Sequence, residues 1–167
     1  YFKQTVYSTG FKYVTYFIES AILTKAKVTR MAEADLTADL LVSIVDKVQT
    51  NKGIENYYKK YEDEPDNLEE SEQKFDQIMS YIGAIYKAEE LKNTNFNRTQ
   101  LFYTLFTSIG HLLFKLNGID ESLKVTLTEK SVGKIRVALD SFSATYDEIA
   151  ENIDEPQYPR EFKEFIN

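Results

Sequence analysis

The sequence predicts an all-α fold: a multi-helix bundle of about six to eight helices around a central apolar helix, Thr99–Leu116. Three observations carry this. In TQLFYTLFTSIGHLLFKL, apolar side chains fall at Leu101, Phe102, Leu105, Phe106, Ile109, Leu112, Leu113 and Leu116. That spacing is helical and the stripe nearly encircles the rod, so the helix is expected to be buried on most sides. Two further segments, from Met31 and from Asn67, carry apolar stripes at steps of three and four. No segment alternates apolar and polar residues over the length of a strand.

The elements follow in order. Phe2 to Val14 reads as helix with a weak point at Gly10, and an aromatic surface continues through Tyr13, Tyr16 and Phe17 to Ile22. Phe2, Tyr7 and Phe11 imply that this end packs against something. Thr24 to Arg30, rich in threonine and basic residues, is expected to be a turn. Met31 to Gln49 is amphipathic, with Leu36, Leu40, Leu41, Ile44, Val45 and Val48 on one stripe. Glu33 and Asp35 in its first turns suit the positive end of the helix dipole. Asn51, Lys52 and Gly53 form a stop signal, with glycine free to take a left-handed cap.

Ile54 to Tyr61 is a short tyrosine-rich helix that ends in EDEPDN, where Pro65 breaks it. Asn67 with Glu70 has capping-box spacing and opens a long helix. Its expected buried face is Phe75, Ile78, Met79, Ile82, Ile85 and Tyr86. KNTNFN is a loop before the central helix, which Asn117-Gly118 is expected to end. A last long helix begins near Thr128, with Leu127 and Val132 placed for a hydrophobic staple. Val132, Ile135, Leu139, Phe142, Tyr146 and Ile149 then form a narrow seam. After Pro156 and Pro159, REFKEFIN reads as the start of one more helix.

At 167 residues, 43% hydrophobic and 28% charged, the chain is expected to be one α-helical domain over 1–167. It opens inside a helix and without methionine, so it reads as a piece of a longer polypeptide, the alternative being a chain trimmed of a tag or disordered start. Thr99–Leu116 is too short, and too interrupted by Thr, Ser, His and Lys, for a membrane span. The lack of cysteine excludes disulfides, thiol nucleophiles and thiolate zinc sites, and suits a reducing cytoplasm. No signal peptide pattern opens the chain. A net charge of −7 argues against a general nucleic-acid binder. The charge is uneven. Tyr1 to Arg30 holds Lys3, Lys12, Lys25, Lys27 and Arg30 against Glu19 alone, a segment charge of +4 that leaves −11 on the rest. An anionic partner would therefore meet the N-terminal end.

Little catalytic chemistry is present. His111 is the single histidine, which excludes a His-His metal site and an HNH-type nuclease centre, and it reads as a structural residue with its ring half-buried and hydrogen-bonded. An enzyme built on His111 and carboxylates would need a perturbed carboxylate beside it. The acidic run Glu62, Asp63, Glu64, Asp66, Glu69, Glu70 and Glu72 lacks the spacing and glycine of a calcium loop and reads as a solvated face. Glu148, Glu151, Asp154 and Glu155 read the same way, and no phosphate-binding glycine loop occurs. Arg30 and Arg98 each precede a long helix, where a guanidinium serves either a phosphate or carboxylate ligand or an internal tie. The tyrosines near exposed lysines suit either stacking on bases or core and interdomain packing.

VTRMAEADLTADLLVSIVD at Val28 to Asp46, then VQTNKGIENYYKKYED, and FNRTQLFYTLFTSIGHLL at Phe96 to Leu113 together resemble a known family. It is the helical C-terminal part of a bacterial domain of unknown function whose N-terminal part is similar to ParB and sulfiredoxin. Members occur in GmrSD-type, modification-dependent (type IV) restriction enzymes and related anti-phage defence proteins. Arg30, Met31, Glu33, Asp35 and Leu36 match its R-M-x-D/E-x-E/D-L pattern, and Phe96 and Arg98 its F-x-R. The resemblance spans most of Tyr1 to Leu116.

It implies a helical companion or scaffold domain, without a complete active site or a cofactor of its own. The D-G-Q-Q-R type motif of the ParB-like part does not occur in this sequence. Nucleotide triphosphate and Mg would be handled by that missing part of the same polypeptide, and DNA would be reached through the parent protein. Arg30 and Arg98 are the implied nucleotide or DNA contacts, and Lys3, Tyr7, Lys12 and Tyr16 the implied interdomain face. Self-association into a homo-oligomer stays open, as does a stand-alone protein-interaction module.

Overall fold

Apolar residues recur at helical steps in the predicted segments, and the computed structural model realises them as an all-helical bundle. It describes residues 1–49, 53–61, 68–120, 127–128 and 130–153. Among these are eight α-helices: α1 (Phe2–Glu19), α2 (Lys25–Val28), α3 (Ala32–Val45), α4 (Ile54–Lys60), α5 (Leu68–Ile85), α6 (Ala88–Leu91), α7 (Thr99–Phe114) and α8 (Ser131–Glu151). A single 3-10 turn, Asn95–Asn97, precedes α7, and no described residue lies in a strand. No helix among the described residues is long and apolar enough to cross a membrane.

The centre is shared between α7 and α3. The α7 helix buries Leu101, Phe102, Leu105, Phe106 and Ile109 against α5 and α3. The α3 helix buries Leu36, Leu40, Leu41 and Val42 and touches α1, α5, α7, α2 and α4. Aromatic rings link the layers: Tyr13 to Phe75 at 5.4 Å between centroids, Phe75 to Phe106 at 4.9 Å, and Phe17 to Phe102 at 5.9 Å. Such pairs add to the burial energy of rings already shut away from water. The α5 face is the expected one, with Phe75, Ile78, Met79, Ile82, Ile85 and Tyr86 all buried.

Local departures from the sequence reading have local causes. Gly10 is no weak point, because α1 runs unbroken through it. The missing side chain instead lets α1 and α3 approach: a Cβ there would lie 3.2 Å from Thr37 Oγ1 and 3.4 Å from the Glu33 carbonyl oxygen. The stretch from Thr24 is helix α2 rather than a plain turn, because the Thr24 hydroxyl accepts from the Lys27 N–H at 3.3 Å. Helix α7 stops three residues before Asn117, where Lys115 takes a left-handed conformation (φ 56°) and its N–H bonds to the His111 carbonyl at 2.8 Å. Asn117-Gly118 serves a different end. The Val48 N–H bonds to the Asn117 carbonyl at 2.8 Å, and Gly118 (φ 88°) passes so close that a Cβ would meet the Val48 carbonyl at 2.7 Å.

The expected seam of α8 is only half-buried, and Phe142 is 42% exposed. Polar ties hold this outer helix instead. Tyr86 Oη donates to Asp140 Oδ1 at 2.5 Å, and Arg136 Nη1 donates to Glu90 Oε1 at 2.8 Å and to the Ile85 carbonyl at 3.1 Å. Asn95 Nδ2 donates to the Ser143 carbonyl at 3.1 Å and to Asp147 Oδ1 at 2.7 Å, and its backbone N–H to Ser143 Oγ at 2.9 Å. The expected capping box at Asn67, the stop at Asn51 and Lys52, the break at Pro65 and the helix at REFKEFIN lie outside the described residues.

Candidate functional site

Helix α1 has two faces because its apolar residues exceed what one stripe can bury. Phe2, Val6, Gly10 and Phe17 point into the core. Tyr7, Phe11 and Val14 stand one turn apart on the other side. Phe11 is 81% exposed and Tyr7 41%. Lone exposed apolar residues are ordinary, whereas a stripe of them bordering a groove marks an interaction surface.

The groove is real. Tyr7, Phe11 and Val14 of α1 face Val28 of α2 and Met31, Glu33 and Ala34 at the start of α3, around about 390 Å³ of space. Met31 holds a left-handed backbone (φ 63°), costly for a side chain of its kind, and is 47% exposed. Its carbonyl accepts from Ala34 and Asp35, so the strained residue opens α3 without a side-chain cap. At the groove wall, Glu33 Oε2 is shut off from water with no hydrogen-bond partner among the described residues. One turn on, the buried Thr37 hydroxyl is likewise unpartnered.

A second depression of about 380 Å³ adjoins the first through Tyr7, lined by Tyr1, Phe2, Lys3, Tyr58 and Lys59. Lys3 Nζ lies 5.9 Å above the Tyr7 ring. Lys3 and Tyr7, two residues of the implied interdomain face, are thus together on one exposed surface.

Lys12 and Tyr16 are engaged elsewhere. Lys12 Nζ pairs with Asp76 Oδ2 of α5 at 2.7 Å, and Tyr16 Oη donates to the Tyr86 carbonyl at 3.4 Å. Their neighbour Tyr13 donates to Asp76 Oδ1 at 2.7 Å. Burial, reinforced for Tyr13 by the Asp76 carboxylate, pushes the Tyr13 and Tyr16 hydroxyls far above the ordinary tyrosine range. These side chains join α1 to α5 and the segment that follows it.

The two arginines do not converge. Arg30 is exposed on the turn between α2 and α3 and makes no side-chain hydrogen bond or ion pair among the described residues. Arg98 donates from Nη1 to Tyr146 Oη of α8 at 2.9 Å and lies over that ring. It therefore acts as an internal tie.

His111 is buried, with Nδ1 3.1 Å from the Leu116 carbonyl, a contact that places the proton on Nδ1. Its Nε2 has no hydrogen-bond partner among the described residues. No group of three His, Cys, Asp or Glu side chains able to hold a metal occurs among the described residues. Of the acidic runs, Glu62 to Asp66 and Asp154 and Glu155 lie outside the described residues, while Glu69, Glu70, Glu148 and Glu151 are exposed. Glu72 accepts from Thr9 Oγ1 at 3.2 Å.

In the sequence Phe11 reads as one of the packing aromatics, and Glu33 as a partner of the helix dipole and a member of the R-M-x-D/E pattern. The available signal was the recurrence of Tyr7, Phe11 and Val14 at four and three residues, offset from the stripe of Phe2, Val6 and Phe17. Compared with family models, curated proteins and solved structures, the chain matches none.

Proposed function

We propose that this chain is a helical companion domain that docks a second folded unit on the outer face of α1. Following the resemblance of its sequence, that unit is the ParB-like N-terminal part of the same cytoplasmic polypeptide, in a modification-dependent restriction or anti-phage defence protein. The observation that carries the reading is Phe11, 81% exposed beside Tyr7 and Met31 over an open groove. Removing such a surface from water contributes roughly 25 cal/mol per Å². Nucleotide triphosphate, Mg and DNA chemistry belong, in this reading, to the docked unit, with Arg30 positioned near the junction and free to meet an anion.

The coding frame upstream of Tyr1 supplies the first test. A ParB-like segment with a D-G-Q-Q-R type motif is expected there. That segment, produced separately, should then bind the chain in sedimentation velocity, and Phe11→Glu should abolish the association while leaving the circular dichroism spectrum unchanged. Undiminished association by Phe11→Glu would overturn the docking face. An upstream frame encoding no such segment would transfer the same face to the second reading, a stand-alone module for another protein.

A further inference from the structure

Resting on that docking reading, we infer that the α1–α3 groove takes a tryptophan or tyrosine ring from an acidic segment of the docked unit, with Glu33 accepting the ring's N–H or O–H. The argument begins with what the groove lacks. Its wall is formed by Tyr7, Phe11, Val14, Val28, Met31 and Ala34, with Glu33 as the acidic member. A carboxylate oxygen shut inside the fold without a protein donor is an open acceptor, which a ligand's donor would satisfy. Glu33 Oε2 is in that state. The terminal torsion of a glutamate is soft, so either oxygen can turn to the groove.

An occupant that matches this wall has a flat apolar body and one hydrogen-bond donor. Tryptophan and tyrosine are the side chains of that description, and both anchor interfaces for that reason. A space of about 390 Å³ admits such a ring with room for its flanking backbone.

The rim gives the flanking charge. Lys25, Lys27 and Arg30 lie on and beside α2, next to Val28 and Met31, all exposed. Lys3 and Lys59 line the adjoining depression that shares Tyr7. Against the exposed Asp35 of α3, these five exposed cations give the surface beside the opening a positive balance in a chain of net charge −7. It complements aspartate and glutamate on either side of the anchor ring. A nucleobase with its phosphate also combines ring and negative charge. A base edge presents several donors and acceptors, however, and the groove wall offers Glu33 as its single charged partner.

The test uses the 15N-labelled chain, residues 1–167, and three probes: indole, 1-methylindole and a deoxythymidine octamer. Indole is expected to shift the amides of Phe11, Met31 and Glu33 saturably. 1-Methylindole, the same ring without its donor, is expected to bind about tenfold more weakly. In Glu33→Met the two should bind alike, and the comparison in the unaltered chain decides the matter if that variant fails to fold. Equal binding of the two rings, or saturation at other residues, would overturn the anchor. Tighter binding of the octamer at these amides would overturn it in favour of nucleic acid. Loss of the anchor with Phe11→Glu still abolishing docking would leave the docking face standing, so the two readings fail separately.

Discussion

Arg98 approaches Tyr146 twice: Nη1 donates to the hydroxyl at 2.9 Å, and the guanidinium carbon lies 5.0 Å from the centroid of the same ring. The pair joins the entry of α7 to α8. Arg98 is exposed, so solvent weakens its charge, while the ring face still rewards the planar cation. A double-mutant cycle with Arg98→Ala and Tyr146→Phe should give a coupling of about 0.5–1 kcal/mol in urea unfolding. Additive variants would show that the contact does not stabilise α8.

Two helical glycines separate propensity from packing. Nothing lies within 4 Å of a Cβ built on Gly83, whereas one on Gly10 meets Thr37 Oγ1 at 3.2 Å and backbone at 3.4 Å. Gly83→Ala should stabilise by about 0.5–1 kcal/mol through helix propensity. Gly10→Ala should forfeit that gain and fall below the unaltered chain in thermal melting, because the added methyl meets the buried Thr37 hydroxyl at 3.2 Å. Equal gains at both positions would show that the α1–α3 approach is loose.

Ala21 holds a left-handed backbone with φ 59° in the tight link after α1, and its side chain is exposed. Such a conformation costs a residue with a Cβ roughly 1–2 kcal/mol, and glycine relieves it at some cost in unfolded-state entropy. Ala21→Gly is expected to stabilise by about 0.5–1 kcal/mol, read as a higher urea midpoint. A lower midpoint would contradict the strained link.

Tyr13, Tyr16 and Tyr86 have hydroxyls held above their ordinary range, in each case first by burial. For Tyr13 and Tyr86 an accepting aspartate, Asp76 or Asp140, adds to this. When the folded pKa exceeds the unfolded one, the stabilisation is complete below the unfolded value and is lost as pH climbs toward the folded value. Stability should therefore hold up to about pH 9.5 and fall steeply above about pH 10. Tyrosinate absorbance should rise in two stages, the second coinciding with the loss of helical circular dichroism. A single early stage with the fold intact would show these hydroxyls to be solvated.

The burial of α5 and α7 was legible in the sequence because their apolar residues recur at helical steps and outnumber any exposed alternative. Phe75, Ile78, Met79, Ile82 and Ile85, and Leu101, Phe102, Leu105, Phe106 and Ile109, lie in the core as their spacing required. The structural role of His111 was legible for the same reason, since it sits on the apolar rod, but the ring is fully buried where the sequence suggested half-burial. Lys3 and Lys12 look alike in sequence, both basic and both near tyrosines on α1. One lies over the exposed Tyr7 ring and the other pairs with Asp76, sixty-four residues away.

What the sequence by itself determined is the set of helices and which of their faces seek the core, because periodicity and turn chemistry act within a few residues. What the tertiary structure decided is which side chains were left over. Arg98 went to Tyr146, Lys12 to Asp76, and α8 to a polar docking on Tyr86, Asn95 and Glu90. Phe11 and Glu33 were left at an open groove because α1 had already spent its other stripe on α3. Such leftovers depend on how helices distant in the chain meet, and that geometry is set by the packing of the whole bundle.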